Sequence, residues 1–205
     1  MPMRAYFTKN YIEVGVDEVG RGCLAGSVVA AAVILPKNFH HSTLTDSKQL
    51  SEKVRLEIEI YIKENALAWA IAEASVEEID MYNIASASVL AMHRALDNIF
   101  TQTTPELILV DGKYFKPYGF VPYECIVKGD AKFFSIAAAS VLAKNYRDKQ
   151  MRELAQKFPY YAWEKNVGYP TAEHKKGIEK HGISPFHRKT FGICKQWANA
   201  KNLLI

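Results

Sequence analysis

Hydrophobic and polar positions along the 205-residue chain follow two alternating periods. Ile12, Val14 and Val16 alternate with Glu13, Gly15 and Asp17, the period of two that marks a strand. Ser27 to Leu35 is a nearly unbroken run of valine, alanine and isoleucine, the pattern of a strand buried on both faces, and Pro36 ends it. The short glycine-containing turn between these two runs predicts an antiparallel pair. Glu52 to Glu64 carries two patterns at once. Leu56, Ile58, Ile60 and Ile62 alternate as in a strand, whereas Val54, Ile58, Tyr61 and Ile62 share one helical face. Helix is the better reading, because Ser51 can cap it, Glu52 opens it and Glu and Lys are dense within it. Ala66 to Ala74 alternates large and small residues and predicts a third strand. Ser75-Val76-Glu77-Glu78 has the form of a capping box, and Val89, Met92, His93, Leu96, Ile99 and Phe100 continue an amphipathic helix with an interruption near Asn83. His93 on that apolar face reads as a packing residue.

Leu107-Ile108-Leu109-Val110 reads as a central strand followed at once by Asp111-Gly112, and Tyr123 to Lys128 as another that leads into Gly129-Asp130. Ser135 to Lys157 predicts a long helix whose first turns, Ile136-Ala137-Ala138-Ala139-Ser140, are small enough to lie close on a sheet. From Phe158 the chain turns aromatic and basic, with a short helix predicted from Thr171 to His181 and stopped by Gly182. Phe186, Phe191 and Trp197 are expected to dock the last segment, and the tail Leu203-Leu204-Ile205 is left unassigned. Strands first, then strands alternating with helices, imply an α/β fold with a mixed sheet. The division expected is a core over residues 1–157 and a helical extension over 158–205, folded as one unit.

Composition narrows the function classes. At 49% hydrophobic residues the chain can bury a full core. It has no run of membrane-spanning length, and Met1 to Tyr11 lacks the apolar centre of a secretory signal, so a cytoplasmic location and no membrane partner are expected. Cys23, Cys125 and Cys194 are odd in number and far apart, which argues for free, largely buried thiols rather than disulfides or a zinc site. Residues 128–205 carry 15 Lys and Arg against 6 Asp and Glu, a net +9, while the remainder nets −5, so the C-terminal part suits a phosphate-rich partner.

Candidate chemistry gathers at the strand ends. Asp17-Glu18 precede Gly20, Asp111 precedes Gly112, and Asp130 follows Gly129. Each alone is ordinary turn chemistry, and Glu18 with Arg21 fits a local ion pair. Together they would place four carboxylates at the end of an α/β sheet, where they repel one another unless cations intervene. Oxygen ligands without a His or Cys cluster favour Mg²⁺ or Mn²⁺ over zinc. Two such ions about 3.5–4 Å apart clamp a phosphodiester. The residues alone therefore point to metal-assisted phosphoryl chemistry on nucleic acid. The competing reading is a non-catalytic nucleic-acid-binding module whose acidic residues are structural turns.

A series of motifs sharpens this. Val16-Asp17-Glu18-Val19-Gly20-Arg21-Gly22, Asp46-Ser47-Lys48-Gln49-Leu50, Val110-Asp111-Gly112, Lys128-Gly129-Asp130, Ala137-Ala138-Ala139-Ser140 with Ala143-Lys144 and Arg147-Asp148, Gly168-Tyr169-Pro170-Thr171 and His187-Arg188-Lys189-Thr190-Phe191 resemble ribonuclease HII in order and spacing. The resemblance runs from about Tyr11 to Trp197 and implies a ribonuclease-H-like mixed sheet flanked by helices. It implies cleavage of RNA in RNA–DNA hybrids and of single ribonucleotides in duplex DNA, leaving 3′-hydroxyl and 5′-phosphate ends. Such cleavage initiates ribonucleotide removal by a protein expected to act as a monomer. Asp17, Glu18, Asp111 and Asp130 match the metal-binding carboxylates. Gly20, Arg21 and Gly22 match the turn that contacts the 2′-hydroxyl, the group that separates RNA from DNA. Tyr169 matches the tyrosine that packs on the sugar, and Lys48, Ser140 and Lys144 match positions beside the substrate backbone. Lys189-Thr190 stands where the family more often has Arg-Ser. The alternatives from the same fold are ribonuclease HIII, which usually lacks the turn arginine and carries an added N-terminal domain, and an integrase-like nuclease.

Overall fold

The structure is a computed structural model describing residues 3–202; the side chains of Lys48 and of residues 200–202 lie outside the description, as does the 203–205 tail. In chain order the elements are β1 (Glu13–Val19), β2 (Val28–Ile34), α1 (Glu52–Asn65), β3 (Ala68–Ala74), α2 (Val76–Phe100), β4 (Leu107–Asp111), β5 (Tyr123–Ile126), α3 (Phe134–Lys157), α4 (Trp163–Asn166), α5 (Ala172–His181) and α6 (Gly192–Asn202). The strands form one mixed sheet in the order β3-β2-β1-β4-β5. β1, β2 and β3 pair antiparallel, β4 runs parallel to β1, and β5 runs parallel to β4.

Strand alternation sorts the sheet into two faces. Val14, Val16, Ala30 and Val110 face α2 and pack with Met92, Leu96 and Ile99. Val29, Ala31 and Val33 face the other way, against Ile58 and Ile62 of α1 and Ala138, Val141 and Leu142 of α3. β2 is buried on both faces, as its unbroken apolar run implies. The conflict in α1 is resolved by burial: Ile58 and Ile62, four apart, are buried, while Leu56 and Ile60 are exposed. A strand would have buried all four on one face, so the helical period decides.

The interruption in α2 falls at Asn83, which adopts φ 67° and ψ 163° and accepts the N–H groups of Ala85 and Ser86 on Oδ1, capping the second half of the helix. β5 ends at Ile126, two residues earlier than its polarity pattern suggests, because Lys128 enters the left-handed region at φ 55° and starts a turn of 3₁₀ helix over Gly129–Ala131. Of the cysteines, Cys23 and Cys194 are buried and Cys125 is half-buried. His93 packs edge-on against Phe115 and Tyr118. Beyond α3, Trp163, Ile178, Cys194 and Trp197 gather with Leu24, Ala25 and Met151 in a third cluster. Among the described residues no helix is long and apolar enough to cross a membrane.

One glycine sets how closely α3 approaches the sheet. A Cβ added at Gly15 would overlap the backbone carbonyl of Ser135 in the first turn of α3. Gly15→Ala is therefore expected to cost about 2–3 kcal/mol by forcing helix from strand, measured as a lower midpoint in urea with an unchanged slope.

Candidate active site

Register brings the acidic residues together. The β1–β4 pairing runs through Val16 opposite Val110, so the next residues in line are Asp17 and Asp111. Both point to the α3 face, the same side as Leu107 and Leu109. The left-handed turn at Lys128 then delivers Asp130 just before α3 begins. Gly129 donates its N–H to Asp111 Oδ1 at 2.7 Å, which ties the third acidic residue to the second. The result is a group of carboxylate oxygens from Asp17, Asp111 and Asp130 that all lie within 4.8 Å of one another.

Glu18 stands apart from that group. It lines the same cleft as Asp17, and its charge acts on Asp17 and feels that of Asp111, but its oxygens are not within the group of three. It forms a 3.0 Å ion pair with Arg21, the local pair that the sequence allows.

Electrostatics of the cluster are unfavourable in the metal-free protein. Burial, followed by the Glu18 and Asp111 charges, holds the Asp17 carboxyl well above the usual carboxylate range, although Ser140 and the Glu18 N–H bond to it. Burial also raises Glu18, with Asp111 adding to it and Arg21 opposing. Oxygen-only donors from separate strands, crowded and short of positive charge, suit a hard divalent cation.

Asp17, Glu18, Ser47, Arg55, Ser140, Lys144 and Tyr169 line one cleft of about 320 Å³. Ser140, Lys144 and Asp148 are four apart on one side of α3, a spacing legible in the sequence. Ser140 Oγ lies 2.9 Å from Ser47 Oγ. Lys144 is not a solvated lysine: its ammonium bonds Asp148, whose other oxygen takes Arg55 Nη2 at 2.9 Å. One carboxylate thus serves two cations and leaves a net positive charge on the wall. The phosphate-contact expectation for Lys48 falls on a side chain outside the described residues.

The Gly20-Arg21-Gly22 turn is held from behind by two buried arginines, Arg147 and Arg188, to which the sequence motifs assign no role. Gly20 has φ +96°, and a Cβ there would overlap the Arg147 guanidinium. Arg147 donates to the carbonyls of Ser27, Val167 and Ala25. Arg188, fully buried, donates to the carbonyls of Gly20 (2.7 Å), Arg21 (2.9 Å), Gly26 and Ser27. In a trans peptide the N–H points away from the C=O, so drawing the Gly20 and Arg21 carbonyls inward aims the N–H groups of Arg21 and Gly22 outward. The turn therefore presents two donors beside the acidic cluster.

The ribonuclease HII family model matches residues 14–194. A ribonuclease HII of Bacteroides thetaiotaomicron is 53% identical over 188 residues, covering 92% of this chain and 93% of that protein. The chain belongs to the ribonuclease HII family. As a member of that family it is a nuclease, a hydrolase of phosphodiester bonds. The backbone agrees: the crystal structure of ribonuclease H2 from Pyrococcus horikoshii OT3 superposes with a TM-score of 0.77 at 22% identity, covering 93% of this chain and 98% of that one. Bst-RNase HIII in complex with Mn²⁺ superposes with a TM-score of 0.70 at 18% identity, over 92% of this chain and 69% of that one. The ribonuclease-H-like sheet flanked by helices is thus the fold.

Two buried histidines behind the Tyr169 turn make the C-terminal segment sensitive to acid. Burial lowers the pKa of His174, and burial followed by the nearby His174 lowers His187 to about 3. The folded state therefore resists protonation that the unfolded chain accepts from about pH 6.5 downward. This contribution to stability is full above pH 6.5 and is lost as pH drops toward 3, opposite in sign to that of the raised Asp17 and Glu18 carboxyls. The expected loss over that window is on the order of 4 kcal/mol, read from urea midpoints at stepped pH, and His187→Gln flattens the slope.

Proposed function

We propose that this protein is an endoribonuclease that cuts the RNA strand of RNA–DNA hybrids and single ribonucleotides embedded in duplex DNA, leaving 3′-hydroxyl and 5′-phosphate ends. The observation that carries this reading is the convergence of Asp17, Asp111 and Asp130 within 4.8 Å at the mouth of a cleft lined by Tyr169 and Lys144. Those three residues, with Glu18 beside them, hold Mg²⁺ or Mn²⁺, and the Mn²⁺ complex of Bst-RNase HIII supports that choice of metal. Bound there, a pair of divalent ions supplies an activated water and charge stabilisation for the departing oxygen.

The chain's own residues choose the substrate. The outward N–H groups of Arg21 and Gly22, with the Arg21 side chain, meet the 2′-hydroxyl of a ribonucleotide, a group deoxyribose lacks. The Tyr169 ring packs on the sugar, where it excludes water and fixes the scissile linkage over the carboxylates. Ser140 and Lys144 take the neighbouring phosphate, with Lys144 aimed by its bond to Asp148. Lys48 adds a further phosphate contact. The product of such cuts is the opening for ribonucleotide removal from DNA.

Digestion of a duplex carrying one embedded ribonucleotide, with and without Mg²⁺, tests this. The expected result is a single metal-dependent cut at the ribonucleotide with a 3′-hydroxyl end and no cutting of an all-DNA duplex. Equal cutting of the all-DNA duplex, or cutting undiminished by chelator, contradicts it.

A further inference from the structure

His174 and His187 lie fully buried side by side behind the Gly168-Tyr169-Pro170 turn, and nothing in the chemistry above uses them. Their surroundings dictate where each ring carries its proton. Ser184 donates its backbone N–H to His187 Nδ1 at 2.9 Å. Ser184 Oγ already accepts the Phe186 N–H and so turns its own proton to the same nitrogen, also 2.9 Å away. With Nδ1 an acceptor, the neutral His187 ring is protonated on Nε2, 3.0 Å from His174 Nε2. Trp163 Nε1, a group that can only donate, approaches that same His174 nitrogen at 3.0 Å. His174 Nε2 therefore accepts two N–H bonds, and its proton sits on Nδ1, 2.9 Å from the carbonyl oxygen of Tyr169. The chain of donors runs one way, from Ser184 through both imidazoles to Tyr169.

The Tyr169 carbonyl receives a second donor, the Thr171 N–H at 2.8 Å, so both its lone pairs are engaged. The Tyr169 N–H in turn bonds the Asn166 carbonyl at 2.9 Å. Its ring is 37% exposed at the rim of the cleft, and the Cys23 side chain bonds it from behind, so a fixed backbone and that bond together set its direction. We propose that the buried Ser184–His187–His174 relay is a positioning device for Tyr169, with both histidines acting through the tyrosine carbonyl and neither touching substrate. The proposal rests on the reading that Tyr169 packs on the ribonucleotide sugar. It makes the relay a determinant of substrate affinity: a ring already aimed loses less freedom on binding.

Two substitutions at one position separate positioning from bulk stability. His174→Asn keeps an amide donor near the Nδ1 position and loses the Nε2 acceptor, whereas His174→Gln keeps a polar atom near Nε2 and loses the donor to Tyr169. Both break part of the buried network, so both are expected to lower Tm by similar amounts. Steady-state cleavage of the single-ribonucleotide duplex is expected to show KM near the wild-type value for His174→Asn. For His174→Gln, KM rises about fivefold or more, the worth of one hydrogen bond, with kcat within about twofold. In a Tyr169→Ala background the two substitutions give equal KM. Nitrogen chemical shifts of the metal-free wild-type protein at pH 7 give a readout independent of activity. His174 is expected as the Nδ1–H tautomer and His187 as the Nε2–H tautomer. The opposite tautomers, equal KM for the two variants in the wild-type background, or a difference that persists undiminished without Tyr169 overturns the relay. A wild-type enzyme that leaves the embedded ribonucleotide uncut overturns instead the substrate reading on which it rests.

Discussion

Asp17→Asn is expected to reduce metal-dependent cleavage roughly a thousandfold or more while raising the melting temperature of the metal-free protein. Both effects come from the same charge. Asp17 is buried against Glu18 and Asp111, and its carboxyl holds a proton more tightly in the folded chain than in the unfolded one. The resulting penalty on the fold is absent below about pH 3.8, grows as pH rises toward the folded value, and is complete above it. At neutral pH the asparagine removes that penalty, so the variant is expected to melt higher than the wild type in chelator. Asparagine keeps an oxygen for the Glu18 N–H, which bonds Asp17 Oδ1 at 2.7 Å, so the strand end is preserved. Added Mg²⁺ or Mn²⁺ is expected to stabilise the wild type by mass action and to leave the variant's melting temperature nearly unchanged. Thermal denaturation with and without metal reads all of this, and a variant that melts lower than wild type in chelator contradicts it.

Arg188→Met is expected to destabilise the protein by about 3–5 kcal/mol, a large part of the roughly 5–15 kcal/mol that holds a domain together. The guanidinium is fully buried, and its partners are the carbonyls of Gly20, Arg21, Gly26 and Ser27. Burial lowers its pKa to about 10, so it remains a cation at neutral pH. Methionine fills the space but takes the Arg188 donors from the Gly20, Arg21 and Gly26 carbonyls, while Ser27 keeps Arg147, and a buried oxygen that loses its donor is costly. Arg21→Ala gives the informative contrast. That side chain is 49% exposed and pairs with Glu18, so its loss costs under about 1 kcal/mol of stability. It is nonetheless expected to weaken discrimination between ribonucleotide and all-DNA duplexes. Urea denaturation and the cleavage assay together separate the two arginines; equal stability losses contradict the division of labour.

Much of this molecule is written in local patterns. β2 is visible in its apolar run, the α2 interruption at Asn83 in a polar break, and the Asp17–Asp111 neighbourhood in two strands that end in acid. Ser140, Lys144 and Asp148 announce a common helix face by spacing alone. Asp130 is visible as a candidate, but the turn that delivers it is not. It depends on Lys128 adopting φ 55°, a conformation uncommon for a lysine. Glu18 reads as a fourth member of the cluster; it lines the same cleft as Asp17, with its carboxylate turned to Arg21 and outside the group of three. The arginines behind the glycine turn are hidden for a different reason. Arg188 meets the Gly20 carbonyl across 168 residues, and backbone carbonyls carry no sequence identity to search for. The two histidines, 13 apart, show no metal spacing and no catalytic motif, because their work is mutual and buried.

Anomalous scattering from crystals grown with Mn²⁺ tests the site most directly. A peak bounded by the carboxylates of Asp17, Asp111 and Asp130, at about 2.0–2.3 Å from their oxygens, is the predicted result. Saturating Mn²⁺ with no density among those three residues would contradict it.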